Sequence, residues 1–299
     1  MADHISDAVT QDAHAPFVLQ FPDFPDLPMY LHTLTDTWIS DYIRGGQTFE
    51  PHIVALLRSL IRPGDTVLDV GANIGYTAII ASECAGKSGA IHAVEPEPNN
   101  LKLLQRNAAL TSGAPIIVHA CAAGADAFEA NLTLSPDNLG DHRMEIEAED
   151  RETVRVPVRR LDGLSGLKGS RVDVVKIDTQ GSETIALQGM QGLLEANAKA
   201  RLILEFWPYG LERCASGVSA LMSELSARPR RFWLVEHALA CNEVSADDLI
   251  EIAVNRMSPE SQQHGDIVCL SVEDEEGIRI LEAISLDWEE TLMRLALSV

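Results

Sequence analysis

The sequence predicts an α/β fold, a seven-stranded, mostly parallel, doubly wound sheet with helices on both faces. Three observations carry the prediction. From residue 51 onward, short apolar or β-branched runs alternate with segments of helical period, the pattern of repeated β–α units. Residues 172–177 are apolar at four of six positions, Asp173 and Lys176 excepted, and read as a strand covered on both faces. Gly or Pro follows the early helical segments, where a helix must stop.

Residues 1–50 form a lead-in punctuated by Pro16, Pro22, Pro25 and Pro28, read as extended chain. Residues 51–272 form the main domain. Its first helix starts at Pro51, with Ile53, Leu56, Leu57 and Leu60 on one face, and Pro63-Gly64 ends it. Residues 66–70 make the first strand. Residues 74–85 make a helix closed by Gly86, and residues 90–95 the second strand. A helix at 98–110 has Pro98 in its first turn, where a missing N–H costs nothing. Residues 116–120 are the third strand and 172–177 the fourth. A helix at 182–194, a strand at 200–207, a helix at 211–227 and strands at 231–235 and 266–272 complete the set. Residues 125–160 are long, polar and helix-poor, and read as a strand-hairpin or lid inserted over the site. Residues 273–299 begin with Glu273-Asp274-Glu275-Glu276 and continue as an amphipathic helix, read as a solvated cap.

Composition narrows the function. Among 299 residues, 45 Asp and Glu outnumber 23 Lys and Arg, for a formal charge of −22. Such a surface repels phosphate backbones and anionic membranes; the short Arg228-Pro229-Arg230-Arg231 is no basic patch. No apolar run reaches the roughly 20 residues of a membrane span, and the acidic N-terminus lacks a signal-peptide core. The five cysteines are scattered, without a CxxC pair, and read as reduced thiols of a cytoplasmic protein.

Parallel α/β sheets bind ligands beyond the carboxyl ends of their strands, so the informative residues should follow each strand. The strongest signal is Asp69-Val70-Gly71-Ala72-Asn73-Ile74-Gly75. Gly71 and Gly75 allow a sharp turn and close ligand approach, and the helix behind them offers free N–H groups. The dinucleotide fingerprint wants glycine at relative positions one, three and six. Here those positions hold Gly71, Asn73 and Tyr76, so two of three fail. The order Asp-x-Gly-x-Asn-x-Gly suits S-adenosylmethionine, with Asp69 accepting from the ligand ammonium directly or through water. Glu95 closes the second strand, where an acid reaches both ribose hydroxyls.

The chain resembles the FkbM-type S-adenosylmethionine-dependent methyltransferases, a branch of the Rossmann-like class I fold. The resemblance runs from about Trp38 to Leu270. It rests on Phe49-Glu50-Pro51, Pro63-Gly64-Asp65 through Gly75, Val94-Glu95-Pro96, Lys176-Ile177-Asp178-Thr179-Gln180-Gly181-Ser182-Glu183 and Leu204-Glu205-Phe206. Thr179-Gln180 departs from the acid or Val-Glu common in the family, and the Pro-rich lead-in has no family counterpart. The resemblance implies that Glu50, before the first helix, reaches the ligand, and that Asn138 to Arg143 approaches cofactor or acceptor.

Methyl transfer is an in-line displacement in which the protein positions the nucleophile, and an alcohol acceptor benefits from a base. Asp178, ending the fourth strand, is expected to orient or deprotonate the acceptor. Capping the next helix is its plainer alternative. Glu183, in that helix's first turn, reads as a dipole-favoured acid. Glu205 lies in an apolar run and must face the cleft or have a partner. Asp178 and Glu205 could share a divalent cation such as Mg²⁺, but the spacing offers no third ligand and no metal is assigned. His142 could act as a base near neutral pH, and His237 follows the sixth strand.

The expected function is methylation of a hydroxyl on a sugar, glycolipid precursor or secondary metabolite. Glu50, Asp69, Gly71, Asn73, Gly75 and Glu95 would bind cofactor, and Asp178, Glu205 and His142 would serve the transfer. A small-molecule or glycan acceptor is the expected partner, with no nucleic acid. Two rivals stand beside this reading. One is a non-catalytic methyltransferase-like subunit. The other is an NAD-dependent oxidoreductase, for which no Tyr-x-x-x-Lys pair is present.

Overall fold

The computed structural model describes residues 15–297 except 33–35, 37, 137, 145–150, 215, 238 and 259. Residues 1–14 of the lead-in and 145–150 of the insert thus lie outside the described residues.

The lead-in folds onto the domain. β1 (Phe17–Leu19) and β2 (Leu27–Met29) pair antiparallel, and Leu19, Phe21, Leu27 and Met29 are buried in the main core. A short helix, α1 (Ile39–Arg44), follows; Asp36 starts it by accepting from the Ile39 and Ser40 amides. α2 (Pro51–Leu60) buries almost its whole length. β3 (Thr66–Val70), α3 (Tyr76–Ala85), β4 (Ala90–Val94), α4 (Pro98–Ala108) and β5 (Ile116–His119) follow as expected. α3 starts two residues later than the sequence suggests, because Asn73 and Gly75 both take left-handed backbone.

The insert is a small sheet: β6 (Ala122–Ala123), β7 (Phe128–Thr133) and β8 (Thr153–Arg159), with β8 central. Its apolar face is Ala122, Leu132, Val156 and Val158. β9 (Val174–Ile177) then returns to the main sheet. The helix expected at 182–194 is two, α5 (Glu183–Gln188) and α6 (Gln191–Ala196). The break lies at Gly189, where a Cβ would fall 2.2 Å from the Gly124 carbonyl oxygen. After β10 (Arg201–Phe206) comes α7 (Pro208–Arg213) and, across a left-handed Gly217, α8 (Gly217–Ser226). β11 (Arg230–Glu236), β12 (Ala240–Val244), α9 (Ala246–Asn255) and β13 (Gly265–Ser271) complete the sheet, and α10 (Glu275–Leu286) and α11 (Trp288–Leu295) close the chain.

The strand order is β12-β11-β13-β10-β9-β3-β4-β5. All seven expected strands form, and β12 adds an eighth at the edge. From β10 to β5 neighbouring strands are parallel, while β13 runs antiparallel to both β10 and β11. The strand pleat sends alternate residues to opposite faces. Val67, Val174, Ile203 and Val268 pack under α2, α3, α10 and α11. Leu68, Val175, Leu202, Leu204 and Ile267 pack under the helices from α5 to α9. The acidic start of the last segment is more than solvated cap. Asp274 is buried, grips Arg201 at 2.7 and 3.1 Å, and accepts from Gly277 N–H at the head of α10. Among the described residues, no helix is long and apolar enough to cross a membrane.

Candidate functional site

Strand order reverses at β3: β4 lies on one side and β9 on the other. A cavity of about 800 Å³ opens beyond the carboxyl ends of these strands, where such a reversal leaves a crevice. Its size suits a cofactor plus a small acceptor.

The floor is the turn after β3. Gly71 has φ +81°, and the Gly71 and Ala72 amides both donate to the Val94 carbonyl at 3.0 Å. A Cβ on Gly71 would lie 1.8 Å from the Asp178 carbonyl oxygen, so only glycine lets the turn meet the end of β9. Asn73, also left-handed, accepts from Ile74 N–H and donates through Nδ2 to the Leu139 carbonyl at 3.1 Å. Glu95, one residue past β4, is buried. Its Oε2 accepts from Asn73 N–H at 2.9 Å and its Oε1 from Glu97 N–H at 2.8 Å. Burial pushes its pKa up to about 7 against those hydrogen bonds. Each oxygen keeps a lone pair for a ligand hydroxyl.

The opposite wall follows from the pleat. Asp69, Lys176, Glu205 and Asp266 stand on one face of β3, β9, β10 and β13, with Asp69 in register with Lys176 and Glu205 with Asp266. This polar row lies below the N-terminus of α2. Lys176 is buried; its Nζ is 3.1 Å from Asp178 Oδ2 and 3.9 Å from Asp69 Oδ1. Burial works against its charge, but Asp178, Asp69 and Glu50 outweigh it and raise the pKa. Gln180, left-handed at φ +53°, places Nε2 2.7 Å from Asp178 Oδ1 and 3.1 Å from both oxygens of Glu205. A hydrogen-bond donor thus stands between Asp178 and Glu205, the position a shared cation would need. Among the described residues, no three His, Cys, Asp or Glu side chains converge as a metal set. Burial and the neighbouring Asp178 carboxylate raise the Glu205 pKa well above its usual range.

Glu183 does more than favour a helix dipole. Its Oε1 accepts from Thr179 N–H, Thr179 Oγ1–H and Gly181 N–H at 2.9–3.1 Å, bracing the strained loop that carries Asp178 and Gln180. Burial lifts its pKa to about 6. His52, behind Glu50 on α2, pairs with Asp266 at 3.0 Å. Burial pushes the imidazolium down, but Asp266 and Glu50 prevail and raise its pKa. His237 packs edge-on between His52 and His264, and burial and those rings lower its pKa.

The insert supplies the third wall. Leu139 O also accepts from Asn100 Nδ2 at 3.0 Å, and the Arg143 guanidinium lies 4.5 Å over the Trp207 ring. His142 Nδ1 accepts from Ser135 N–H at 3.0 Å. The neutral ring therefore carries its proton on Nε2, and burial lowers its pKa to about 4. His142 thus presents its Nε2–H as a donor on the wall. Trp38, just before α1, and Tyr42, on it, line the mouth and are exposed.

Of the residues expected at the site, Glu50, Gly71, Asn73, Glu95, His142, Asp178 and Glu205 line this cavity. Two do not. Asp69 lies below the floor, 1 % exposed, accepting from Thr77 Oγ1–H at 2.6 Å. Gly75 packs on α4, where a Cβ would stand 2.7 Å from Leu104 Cδ1. Lys176, Gln180, His52 and the α1 aromatics were not foreseen. A lone Lys in an apolar strand demands a buried partner, and that signal alone could have exposed Lys176.

The Methyltransferase FkbM domain family matches residues 69–227. Hexuronic acid methyltransferase AglP of Haloferax volcanii is 25% identical over 172 residues, covering 56% of this chain and 65% of that protein. Protein-L-isoaspartate O-methyltransferase of Methanothrix thermoacetophila is 40% identical over 65 residues, 21% of this chain. The chain spans about a third of that enzyme's length, 31%. Among solved structures, an O-methyltransferase from Klebsiella pneumoniae described as putative has a TM-score of 0.44 at 11% identity, covering 77% of this chain and 86% of its own. TomG of Streptomyces achromogenes, an O-methyltransferase in complex with the cofactor, has 0.42 at 14% identity, covering 74% and 78%. With the family match extending from the β3 acid to the end of α8, the chain belongs to the FkbM methyltransferases, which use S-adenosylmethionine on a Rossmann-like sheet.

Proposed function

We propose that this methyltransferase acts on oxygen, at a hydroxyl of a sugar, glycolipid precursor or secondary metabolite in the cytoplasm. One observation carries the reading: two strand-end acids, Glu95 and Asp178, flank the glycine turn within one cavity. Glu95 has spare lone pairs for the ribose hydroxyls. The Gly71–Asn73 turn underlies the nucleoside, and Asp69 acts from beneath by fixing Lys176 and Thr77. Bound cofactor supplies a methyl group on a sulfonium. Asp178, held in place by Lys176 and Gln180, orients the acceptor hydroxyl. Glu205 shares Gln180 with it and keeps that amide aimed at Asp178. The likeness to a hexuronic acid methyltransferase supports a sugar acceptor.

The test supplies labelled S-adenosylmethionine with methyl glycosides of hexuronic acids and neutral hexoses, and with cell extract. Products are then identified by mass and base treatment. A base-stable methyl ether is expected. Label on a base-labile ester or on nitrogen would refute transfer to hydroxyl.

A further inference from the structure

We infer that Glu50 is the catalytic base, the group that takes the proton from the acceptor hydroxyl. The inference rests on the O-methyltransferase reading and adds an atom to it.

Among the described residues, the other carboxylates of the wall are all engaged. Asp178 accepts from Lys176 and Gln180, Glu205 from Gln180, Asp266 from His52, Glu95 from two backbone amides and Asp141 from Arg143. Each of these carboxylates already spends lone pairs on a fixed donor. The Glu50 carboxylate accepts no hydrogen bond from the described residues and lines the cavity above the polar row of β9, β10 and β13.

Its backbone is also unusual. Glu50 has φ 45° and ψ 61°, a left-handed conformation that L residues avoid, and its side chain does not cap α2. Neighbours on three sides enforce it. Tyr76 Oη–H donates to the Phe49 carbonyl at 2.8 Å, Thr48 Oγ1–H donates to the Ala296 carbonyl at 2.7 Å, and the Phe49 ring sits edge-on to Tyr42 and Tyr76. Strain this well supported marks a side chain held where it is needed.

The electrostatics agree. Burial and then Asp178 raise the Glu50 pKa to about 7, while Lys176 and His52 pull it down and Asp266 pushes it up. Glu205 and Tyr76 also feel its charge. A base with a pKa near the working pH is half available and still strong enough to take a proton. In the transfer, the acceptor O–H bond breaks and its proton goes to a Glu50 carboxylate oxygen. The oxygen's electron pair forms the new bond to the methyl carbon, and sulfur keeps the pair of the broken S–C bond. Glu50 later loses the proton to solvent through the open cavity.

The test compares wild type, Glu50→Gln and Glu50→Asp. Calorimetry with S-adenosylhomocysteine shows whether the site is folded and whether Glu50 holds cofactor. Equal affinity, within about threefold, is expected for Glu50→Gln, and a tenfold or greater loss would assign Glu50 to the cofactor ammonium instead. With an acceptor methylated by wild type, kcat should fall about 10²- to 10⁴-fold in Glu50→Gln at nearly unchanged KM, with partial rescue in Glu50→Asp. Wild-type kcat should rise with pH up to about 7, and that limb should vanish in Glu50→Gln. Turnover by Glu50→Gln within threefold of wild type would overturn the role of Glu50 alone. No transfer by wild type to any glycoside or extract would overturn the oxygen-transfer reading beneath it.

Discussion

Replacing Gly71 by alanine should damage this protein far more than the same change at Gly75, four residues later in the same motif. Both glycines have positive φ, +81° and +92°, so each alanine bears roughly 1–2 kcal/mol of backbone strain. What the new methyl meets then decides. At Gly71 it lands 1.8 Å from the Asp178 carbonyl oxygen and 2.9 Å from its carbon. Those are backbone atoms, and the Asp178 amide is itself bonded to the Val70 carbonyl at 3.0 Å. Relief requires prising β9 from β3, adding about 1–3 kcal/mol of overpacking and about 1 kcal/mol for the hydrogen bond. The total is about 3–6 kcal/mol, a large share of a typical domain's stability of about 5–15 kcal/mol. At Gly75 the methyl meets Leu104 Cδ1 at 2.7 Å, the tip of a side chain that can turn away, so about 2 kcal/mol suffices. Urea unfolding followed by fluorescence would give both values from the midpoints at constant slope. S-Adenosylhomocysteine titration would show the Gly71 variant losing its site as well. A Gly71→Ala protein no less stable than Gly75→Ala would refute the close approach of turn and strand.

Glu95→Ala should weaken S-adenosylhomocysteine binding by about 1–3 kcal/mol in calorimetry, since a charged hydrogen-bonding group and the brace on Asn73 N–H go together. Asp178→Asn should leave that affinity nearly intact and lower turnover; equal loss of both would remove its assigned role. Glu205 has a raised folded-state pKa, so the stability from its protonated form is complete below the unfolded value of 4.5 and drains away as pH rises through the folded value. Glu205→Gln should therefore match wild type in Tm near pH 4.5 and exceed it at pH 8, a difference that scanning calorimetry resolves. Asp274→Ala leaves the buried Arg201 guanidinium without its two-pronged partner and should cost about 3–5 kcal/mol in urea unfolding.

The parts of the fold written in period and punctuation were legible. Val67-Leu68, Val174-Val175 and Leu202-Ile203 serve two cores by simple alternation, and unbroken apolar runs announce that. β12 was not legible, because Ala240–Val244 is a short edge strand whose apolar residues are split by Asn242-Glu243. The breaks at Gly189 and Gly217 were hidden inside otherwise helical periods. At the site, motif spacing located the strand-end acids Glu95 and Asp178. It could not tell a residue that lines the cavity from one that lies behind the lining, and Asp69 and Gly75 stand behind it. Nor could spacing show that Gln180 stands between Asp178 and Glu205. That depends on a left-handed backbone at a non-glycine residue, which no local pattern announces.

Leu139 offers one carbonyl to two amides, Asn73 Nδ2 from the floor and Asn100 Nδ2 from α4. A carbonyl oxygen has two lone pairs, so this latch is fully taken up. Swinging the 138–140 loop outward must undo both contacts, each worth about 1 kcal/mol net. The unlatched form is then roughly 2 kcal/mol uphill and present a few per cent of the time. Traffic over this edge is rationed accordingly: a spent nucleoside leaving by that route must wait for a rare opening, and swapping either asparagine for alanine should shorten the wait.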